Sequence, residues 1–483
     1  MTRAFRVSGM VTIALSALSL AGCQSEYRGD TKRMVELFTA GQFPEAASDA
    51  AKEAEAELNS EQNRVAYDLE AGRTLQADGQ WQASMQWFDA AHELVRPYLD
   101  TKAEAKVTEA FATTLINQTT STYRATPNER IMMSTLQSLN AMALADWERA
   151  RVELRRAQDW QQDARTRYRN AVASAQKSTR AAEKKEGINA DAMIGGAQFK
   201  TDLAKAPGIL GDLAGYGDYA NPFTYWLRGM FLSMAPGTSQ QDRDNAQSDF
   251  KFAASMVDGA SREFVQREAQ RLASGSGTPT PTWYLVQFAG LAPKRNEFKV
   301  TIPLPISGTL VLVTAAYPYI ESSGASVGGG KLCSGTALEV PSVPLADFNR
   351  IVCAEFDEVK GIIYAQETLS ASIKAVASYA AQAAAGKDYA GWVALAAAIG
   401  QLATQAADLR SWRTLPQTIH VASMPTPPTG AMQVRRSDGD HIASVTVDPG
   451  SSGLILVTTP ANGAPSKAFT IPFTVPADGK GES

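Results

Sequence analysis

The chain has 483 residues, of which 44% are hydrophobic and 20% charged, and its formal net charge is −4. This length is enough for two or more domains, each with its own core. Because no basic face dominates this slightly acidic chain, we do not expect it to bind nucleic acid.

The N-terminus has the features of an export signal. Arg3 and Arg6 precede an apolar stretch at 11–20 that is too short to span a membrane. The stretch ends in Leu20-Ala21-Gly22-Cys23, which resembles the lipobox of bacterial lipoproteins. An ordinary secretory signal that happens to contain a cysteine is the alternative.

The lipobox resemblance implies a membrane anchor. Residues 1–22 would be removed as a signal peptide, Cys23 would be acylated, and residues 23–33 would be a polar tether. Gln24 is not the aspartate that usually retains such proteins in the inner membrane, so the resemblance favours the outer membrane, with the protein facing the periplasm.

Residues 34–273 are predicted to form a tetratricopeptide-like α-solenoid, because one helical-hairpin pattern recurs along them. The central copy at 129–160 and the copy before it share the spacing of Ala145, Trp147, Leu154 and Ala157 with Gly79, Trp81, Phe88 and Ala91. A third copy carries Gly229, Ala246, Phe250 and Ala253, and a weaker first copy carries Gly41, Phe43, Ala46 and Ala50. Gly72 is expected where two helices touch, and the corner tryptophans are expected to fill the gaps between hairpins. The alternative is an unrelated helical bundle with similar apolar stripes.

Two stretches interrupt this pattern. The glycine- and alanine-rich residues 187–220 are predicted to be an insertion between hairpins. The Ser/Gly/Thr/Pro-rich residues 274–281 are predicted to be a linker between the helical domain and a second domain.

Residues 282–475 are predicted to form an α+β domain, in which a helical insertion separates two groups of strands. The first group lies at 283–288, 298–303 and 309–315, and the second at 418–423, 431–436, 442–447 and 454–459. Within the insertion, the apolar segment 389–403 is short and contains Gln401, so we expect a buried helix rather than a membrane span. Residues 476–483 are predicted to be a flexible tail.

Cys333 and Cys353 are the two cysteines left once Cys23 is set aside. An even number of cysteines in an exported domain predicts a disulfide between them. Two buried thiols would leave the same sequence pattern, so that alternative stays open.

Asp408, Arg410 and Trp412 follow a long predicted helix and precede a strand. An Asp–Arg pair beside a packed tryptophan is expected to fix the helix exit to a sheet edge. Ligand binding by the same three residues is the alternative.

Catalytic and metal-binding patterns were sought and not found. The histidines His92, His420 and His441 lie at no metal-ligand spacing, so no metal or cofactor is predicted. Gly324-Ala325-Ser326-Val327-Gly328 fits the G-x-S-x-G pattern of hydrolases. Because more glycines follow where the helix of a nucleophile elbow should begin, we do not expect Ser326 to be a nucleophile.

Several stretches, taken together, resemble an uncharacterised family of bacterial tetratricopeptide-like lipoproteins. They are Tyr123 with the sequence NERIM at 128–132, Asn221-Pro222-Phe223, FAGLAP at 288–293 with Arg295 and Glu297, and ADLRSW at 407–412 with Leu415-Pro416. The resemblance covers most of the mature chain. Members are often encoded beside a lipoprotein that resembles activators of peptidoglycan synthases, which implies an envelope role.

The predicted function is therefore that of a non-enzymatic envelope lipoprotein that acts as a scaffold or regulator. The hairpins would present a concave surface to a periplasmic or outer-membrane protein, with Arg73, Arg130 and Arg228 binding it. Plain solvation of these arginines is the alternative explanation of their charge. The competing function is that of a cell-wall hydrolase or glycan-binding lipoprotein, and the sequence sets no oligomeric state.

Overall fold

A computed structural model describes residues 23–96, 122–211, 213–217, 219–273, 280–306, 309–335, 338–385 and 407–473. The predicted signal peptide, the helix at 389–403, the tail at 476–483 and most of the linker at 274–281 lie outside the described residues. The chain is mixed α+β, with a helical N-terminal region followed by strands. This coarse architecture confirms the prediction.

The helical region packs largely as pairs of consecutive helices. Its helices are α1 (Cys23–Thr39), α2 (Phe43–Ala56), α3 (Arg64–Asp78), α4 (Trp81–Val95), α5 (Pro127–Ala143), α6 (Trp147–Asp163), α7 (Arg169–Glu186), α8 (Ala190–Ile194), α9 (Ala197–Ala204), α10 (Pro222–Met234), α11 (Gln240–Met256) and α12 (Gly259–Ala273). A π-helical turn, Ala164–Tyr168, joins α6 to α7. Helix α1 begins at Cys23, and its Tyr27 is fully buried, so part of the predicted tether belongs to the folded body.

Two hairpins bring their helices together at a glycine, as expected for Gly72. A Cβ added at Gly72 in α3 would lie 2.5 Å from the ring of Phe88 in α4. A Cβ at Gly229 in α10 would lie 2.9 Å from the ring of Phe250 in α11. Both distances are shorter than side chains tolerate, so a glycine is what allows each pair of helices to pack this closely.

The strands form three sheets. They are β1 (Thr282–Ala289), β2 (Lys294–Ile306), β3 (Thr309–Glu321), β4 (Gly330–Ser334), β5 (Leu338–Pro341), β6 (Val343–Asp347), β7 (Thr418–Pro425), β8 (Ala431–Arg436), β9 (His441–Thr446), β10 (Gly453–Thr459) and β11 (Lys467–Pro472). A five-stranded sheet has the order β11-β10-β1-β7-β6, a four-stranded sheet has the order β5-β4-β8-β9, and β2 pairs with β3 as a hairpin. In the five-stranded sheet only the pair β1 and β10 is parallel.

The central strand β1 is buried on both faces. Tyr284, Val286 and Phe288 pack into the core shared with the helices, whereas Trp283 and Leu285 pack toward the four-stranded sheet. This follows from the alternation of side chains along a strand. The molecule therefore has helices, the five-stranded sheet and the four-stranded sheet in successive layers.

The inner helices of the hairpins are covered by this sheet. Every residue of α3 from Val65 to Ala77 is buried, and so is every residue of α5 from Pro127 to Met142. The corner tryptophans Trp81 and Trp147 lie against Phe469 and Phe473, with ring centroids 4.8 and 5.6 Å apart. They therefore contact β11 and the residue that follows it, whereas the sequence pattern predicted that they lie between hairpins.

A second core lies between the β2–β3 hairpin and the long helix α13 (Phe348–Ala385). Cys353 is buried in this core, whereas Cys333 is buried in β4 of the four-stranded sheet. No disulfide joins them. The predicted disulfide is wrong because the two cysteines lie in different layers of the fold.

Among the described residues, none of the helices combines the length and the apolar character that a membrane span needs.

Candidate functional site at the helix–sheet junction

Two of the arginines predicted to bind a partner are buried inside the molecule. Arg73 is 1% exposed, and its guanidinium lies 4.9 Å from the ring centroid of Phe288 and 5.6 Å from that of Phe38. Burial lowers the pKa of Arg73 to about 9. Arg130 is also 1% exposed, and its Nε donates to the carbonyl oxygen of Arg124 at 3.1 Å. Placing these two arginines on a partner-facing groove was wrong, because the chain's own sheet covers the inner helices.

Arg228 remains at the surface of the α10–α11 hairpin. Its side chain is 19% exposed and pairs with Asp249 at 2.6 Å. Burial raises the pKa of Asp249 to about 6, although the nearby Arg228 acts in the opposite direction. A partner-binding role for Arg228 stays a prediction.

The ion pair predicted from Asp408 and Arg410 is present. Arg410 Nη2 donates to Asp408 Oδ2 at 2.8 Å, and Arg410 Nε donates to Asp408 Oδ1 at 2.9 Å. Beside the pair, the backbone N–H of Ala407 donates to Glu297 Oε2 in β2 at 3.0 Å, so the segment contacts the two-stranded sheet. Arg410 Nη1 donates to the carbonyl oxygen of Gln62 at 3.0 Å and to Asn63 Oδ1 at 3.1 Å, just before α3. The pair therefore fastens this segment to the helical region.

Glu129 connects the start of α5 to the same segment. Its Oε2 accepts hydrogen bonds from Tyr123 Oη at 2.5 Å and from the backbone N–H of Thr126 at 2.7 Å. Its Oε1 accepts from the backbone N–H of Trp412 at 2.8 Å. Both carboxylate oxygens are thus engaged in holding backbone and side chain in place.

A second buried glutamate, Glu70 in α3, holds the next residues of the segment. It accepts from the backbone N–H of Arg413 at 2.6 Å and from Thr414 Oγ1 at 2.5 Å. Tyr27 Oη in α1 donates to the same carboxylate at 3.2 Å. The sequence analysis did not identify Glu70, because an acidic residue inside a helix carries no signal that it will be buried.

A cavity lies where these segments meet the β2–β3 hairpin and α13. Its volume is about 40 Å³, enough for a few water molecules. Polar and charged groups on its wall include Glu129, Tyr168, Arg295, Glu355 and Ser411. The ring of Trp412 contributes to the same wall.

A crevice of about 180 Å³ lies on the other side of Glu355. It is lined by Asn128, Tyr216, Tyr219 and Glu358, with Ile351, Ala354, Gly215, Gly217 and Ala220. Glu355 is the one residue shared by the walls of cavity and crevice. It therefore lies between the two spaces.

Glu355 is unusual among the groups of this site. It is 8% exposed, and the backbone N–H of Asn128 donates to its Oε2 at 3.4 Å. Its Oε1 has no hydrogen bond of standard geometry among the described residues, although the Thr126 side chain interacts with the same carboxyl group. Burial raises the pKa of Glu355 to about 8, with a further contribution from the nearby Glu129 and an opposing one from Arg295. Glu355 therefore keeps its proton at neutral pH.

Three of the stretches that carry the family resemblance meet at this cavity. NERIM provides Glu129, the residues around FAGLAP provide Pro293 and Arg295, and ADLRSW provides Trp412. The fourth stretch, Asn221-Pro222-Phe223, follows Ala220 of the crevice wall. Segments far apart in the sequence are thus brought together at one place in the fold.

Metal binding and a serine nucleophile would involve residues outside the junction. Within the described residues, no group of three or more His, Cys, Asp or Glu side chains is placed to hold a metal ion. Ser326 of the G-x-S-x-G stretch is exposed, and its carbonyl oxygen accepts from Asn462 Nδ2 at 3.0 Å. His420 is buried, and its Nε2 lies 3.0 Å from Thr418 Oγ1. The structure thus gives Ser326 no hydrogen bond to a histidine within its described residues.

Comparisons with models of known protein families, with curated proteins and with solved structures found no match.

Proposed function

We propose that the chain is a lipid-anchored protein of the bacterial outer membrane that faces the periplasm and acts, without catalysis, as an interaction scaffold or regulator. Its role would lie in peptidoglycan synthesis or envelope assembly, in keeping with the family that the sequence resembles. The lipobox at Cys23 supports the anchor.

The hairpins α3–α4, α5–α6 and α10–α11 belong to this proposal as tetratricopeptide-like repeats. Two observations support this reading: the matching contacts of Gly72 with Phe88 and of Gly229 with Phe250, and the matching positions of Trp81 and Trp147. The inner face of such repeats is a surface for extended peptides. In this chain the five-stranded sheet takes that place, so a partner has to bind elsewhere.

The observation that carries a binding function is the state of Glu355 at the junction. A buried carboxyl oxygen without a partner costs free energy unless a ligand or solvent satisfies it. Glu129 beside it has both oxygens engaged in structural hydrogen bonds. A pair of free carboxyl groups for acid–base chemistry is therefore not assembled, and recognition is the better supported role.

A photo-crosslinking experiment in intact cells tests this proposal. A photoreactive amino acid at Tyr216, on the crevice wall, is expected to capture a specific envelope protein. The same group at Leu338, which is 45% exposed in β5, is the control for nonspecific capture. Identical products from the two positions would contradict a binding site at the junction.

Alanine variants of Arg73 and Arg130 do not test partner binding. Both side chains are buried, so their removal is expected to destabilise the chain whether or not a partner binds.

The alternative function, a cell-wall hydrolase or glycan-binding lipoprotein, is favoured by one observation. Glu129 and Glu355 line the same cavity, and glycoside hydrolysis usually needs two carboxyl groups. Incubation of the purified protein with peptidoglycan tests it directly. Soluble fragments that appear with the natural chain and not with Glu355→Gln would replace the scaffold proposal by a hydrolase.

A further inference from the structure

The crevice has the size of a site for one side chain. Its volume of about 180 Å³ is below the roughly 300 Å³ at which pockets for whole small molecules begin. Ile351, Ala354 and Ala220 provide apolar wall, while Asn128 and Glu355 provide polar wall. A side chain with an apolar stem and a polar end would match the apolar and polar walls of the crevice.

The polar wall offers the Glu355 carboxyl group and the Asn128 carbonyl oxygen as acceptors, and the Asn128 amide nitrogen as a donor. Glu355 Oε1 and both polar atoms of the Asn128 side chain have no hydrogen bond of standard geometry among the described residues. These two residues are 8% and 4% exposed, so bulk solvent hardly reaches them. An ammonium group offers three donors and no acceptor, and it matches the Glu355 carboxylate and the Asn128 carbonyl oxygen.

The charges around the crevice have to be considered together. Glu129 in α5 adds negative charge beside Glu355, whereas Arg295 in β2 opposes it. Tyr168 in the π-helical turn and Tyr219 also interact with the charge of Glu355. Glu358 lies at the crevice, where its carboxylate accepts a hydrogen bond from Tyr219 Oη.

Besides Arg295, Arg350 carries a positive charge near this crevice. Its guanidinium lies 4.4 Å from the ring centroid of Tyr216, and its Nε donates to the carbonyl oxygen of Ala214 at 2.8 Å. With Glu355 protonated, the charges of Glu129 and Glu358 balance those of Arg295 and Arg350. Once Glu355 ionises, the side chains named here carry an excess of one negative charge. This balance favours a cation over an anion.

We infer that the crevice bounded by Asn128, Tyr219 and Glu355 binds the ammonium group of a lysine side chain presented by the partner protein. The inference rests on the proposed scaffold function and names the chemistry of its partner. The lysine stem packs on Ile351 and Ala354, and its ammonium donates to Glu355 and Asn128.

The site predicts a characteristic pH dependence. Glu355 must lose its proton to pair with the ammonium group, and its pKa of about 8 means that binding releases a proton below that pH. Affinity therefore rises as the pH increases from 6 toward about 8 and then levels off. It falls again only when the lysine amine itself loses its proton, near its ordinary pKa of about 10.4.

Calorimetric titration of the detergent-solubilised full chain tests the inference. The probe is N-acetyl-lysine methylamide, and its matched control is N-acetyl-norleucine methylamide, which has the apolar stem without the amine. We expect saturable binding of the lysine probe and at least about tenfold weaker binding of the norleucine probe. Equal binding of both probes, or no binding of either, would overturn the inference.

Variants locate the binding. Glu355→Gln should weaken the lysine probe by about tenfold or more. Asp357→Asn, on the same helix but not on the crevice wall, should leave its affinity unchanged. Should Glu355→Gln fail to fold, Ala354→Met provides a second test, because its longer side chain fills the crevice and should abolish binding. Unchanged binding in a folded Glu355→Gln or Ala354→Met variant would overturn the proposed site.

The source of the amine is settled by competition. A lysine-containing peptide from the photo-crosslinked partner should displace the probe, whereas an amine-bearing cell-wall peptide should not. Displacement by the cell-wall peptide alone would assign the crevice to the wall and overturn the lysine inference.

If the partner is captured at Tyr216 but the lysine probe does not bind, this inference fails and the scaffold proposal stands. If the probe binds but no partner is captured, the scaffold proposal fails.

Discussion

The backbone N–H of Trp412 donates a hydrogen bond of 2.8 Å to Glu129 Oε1 and so joins residues 283 positions apart. Glu129 is 4% exposed, and its other oxygen accepts from Tyr123 and Thr126. The Glu129 side chain thus holds the start of α5 against the segment at 408–414, which precedes β7, and it also lines the cavity.

Replacing Glu129 should therefore destabilise the whole chain. We expect Glu129→Ala to lower the free energy of unfolding by about 3 kcal/mol, because it leaves two buried donors and one half-buried donor without an acceptor. Denaturant titration followed by circular dichroism measures the change. The exposed Glu148, at the start of the next helix, is the control, and Glu148→Ala should change stability by less than about 0.5 kcal/mol. Equal effects of the two substitutions would show that Glu129 has no special structural role.

The close packing of α3 on α4 gives a second prediction. Gly72→Ala should be destabilising by about 1–3 kcal/mol, because the added methyl group would overlap the ring of Phe88. Gly361→Ala in α13 is the matched control, since nothing lies within 4 Å of its added Cβ, and it should be neutral or stabilising by up to about 1 kcal/mol. Phe88→Leu should relieve part of the Gly72→Ala cost. A stabilising Gly72→Ala would contradict the helix contact.

Glu355 should make stability depend on pH. Its folded pKa of about 8 lies above its ordinary value of 4.5, so between these values the folded chain holds a proton that the unfolded chain releases. This difference lowers the free energy of unfolding as the pH rises from about 4.5 to 8, and the loss is complete above pH 8. Glu355→Gln removes this loss. Its melting temperature relative to the natural chain should therefore increase between pH 5 and 8, whereas a constant difference would contradict the raised pKa.

The lipobox predicts acylation of Cys23. Cys23→Ser should leave an unprocessed or soluble protein, because the residue that carries the lipid is lost. Mass spectrometry of the mature N-terminus and fractionation of membranes provide the measurement. Several acyl chains are needed for stable attachment, since one chain holds a protein only reversibly. A mature N-terminus without acyl mass, together with unchanged fractionation of Cys23→Ser, would exclude the anchor.

The sequence predicted the local structure well wherever a single local pattern, such as helical periodicity, was enough to indicate it. The 3.6-residue periodicity indicated the hairpins, and the small residue Gly72 indicated a close helix contact. Short β-branched runs marked β1, β7 and β10 close to their observed bounds. The Asp408–Arg410 pair was also predictable, because an acidic and a basic side chain two residues apart can meet without any knowledge of the fold.

What depends on the packing of distant segments was not predictable in the same way. From the sequence, Arg73 and Arg130 were predicted to be exposed in a groove. Only the position of β1 in the fold shows that the sheet covers them. The pairing of Cys333 with Cys353 was inferred from their number, and the fold places them in different layers. Glu355 lies on a helix without any motif, and it shares the crevice wall with Asn128 of α5 and with residues 215–217 and 219–220. Its candidate role emerges only from tertiary structure.

The sheet that covers α3 and α5 also sets the order in which the chain can complete its folding. Strand β1 lies between β7 and β10, which follow it in the sequence by more than a hundred residues. Glu70 and Glu129 can form their hydrogen bonds with the segment at 408–414 only after that segment has been synthesised. A chain made from its N-terminus therefore exposes the apolar inner faces of its first helices until almost the last strand has been synthesised. Such late, non-local closure slows folding and leaves a long interval in which the chain is open to aggregation or proteolysis. A chaperone that holds the helical half during this interval would increase the yield of folded protein, and truncation before β10 would produce a fragment that proteases remove.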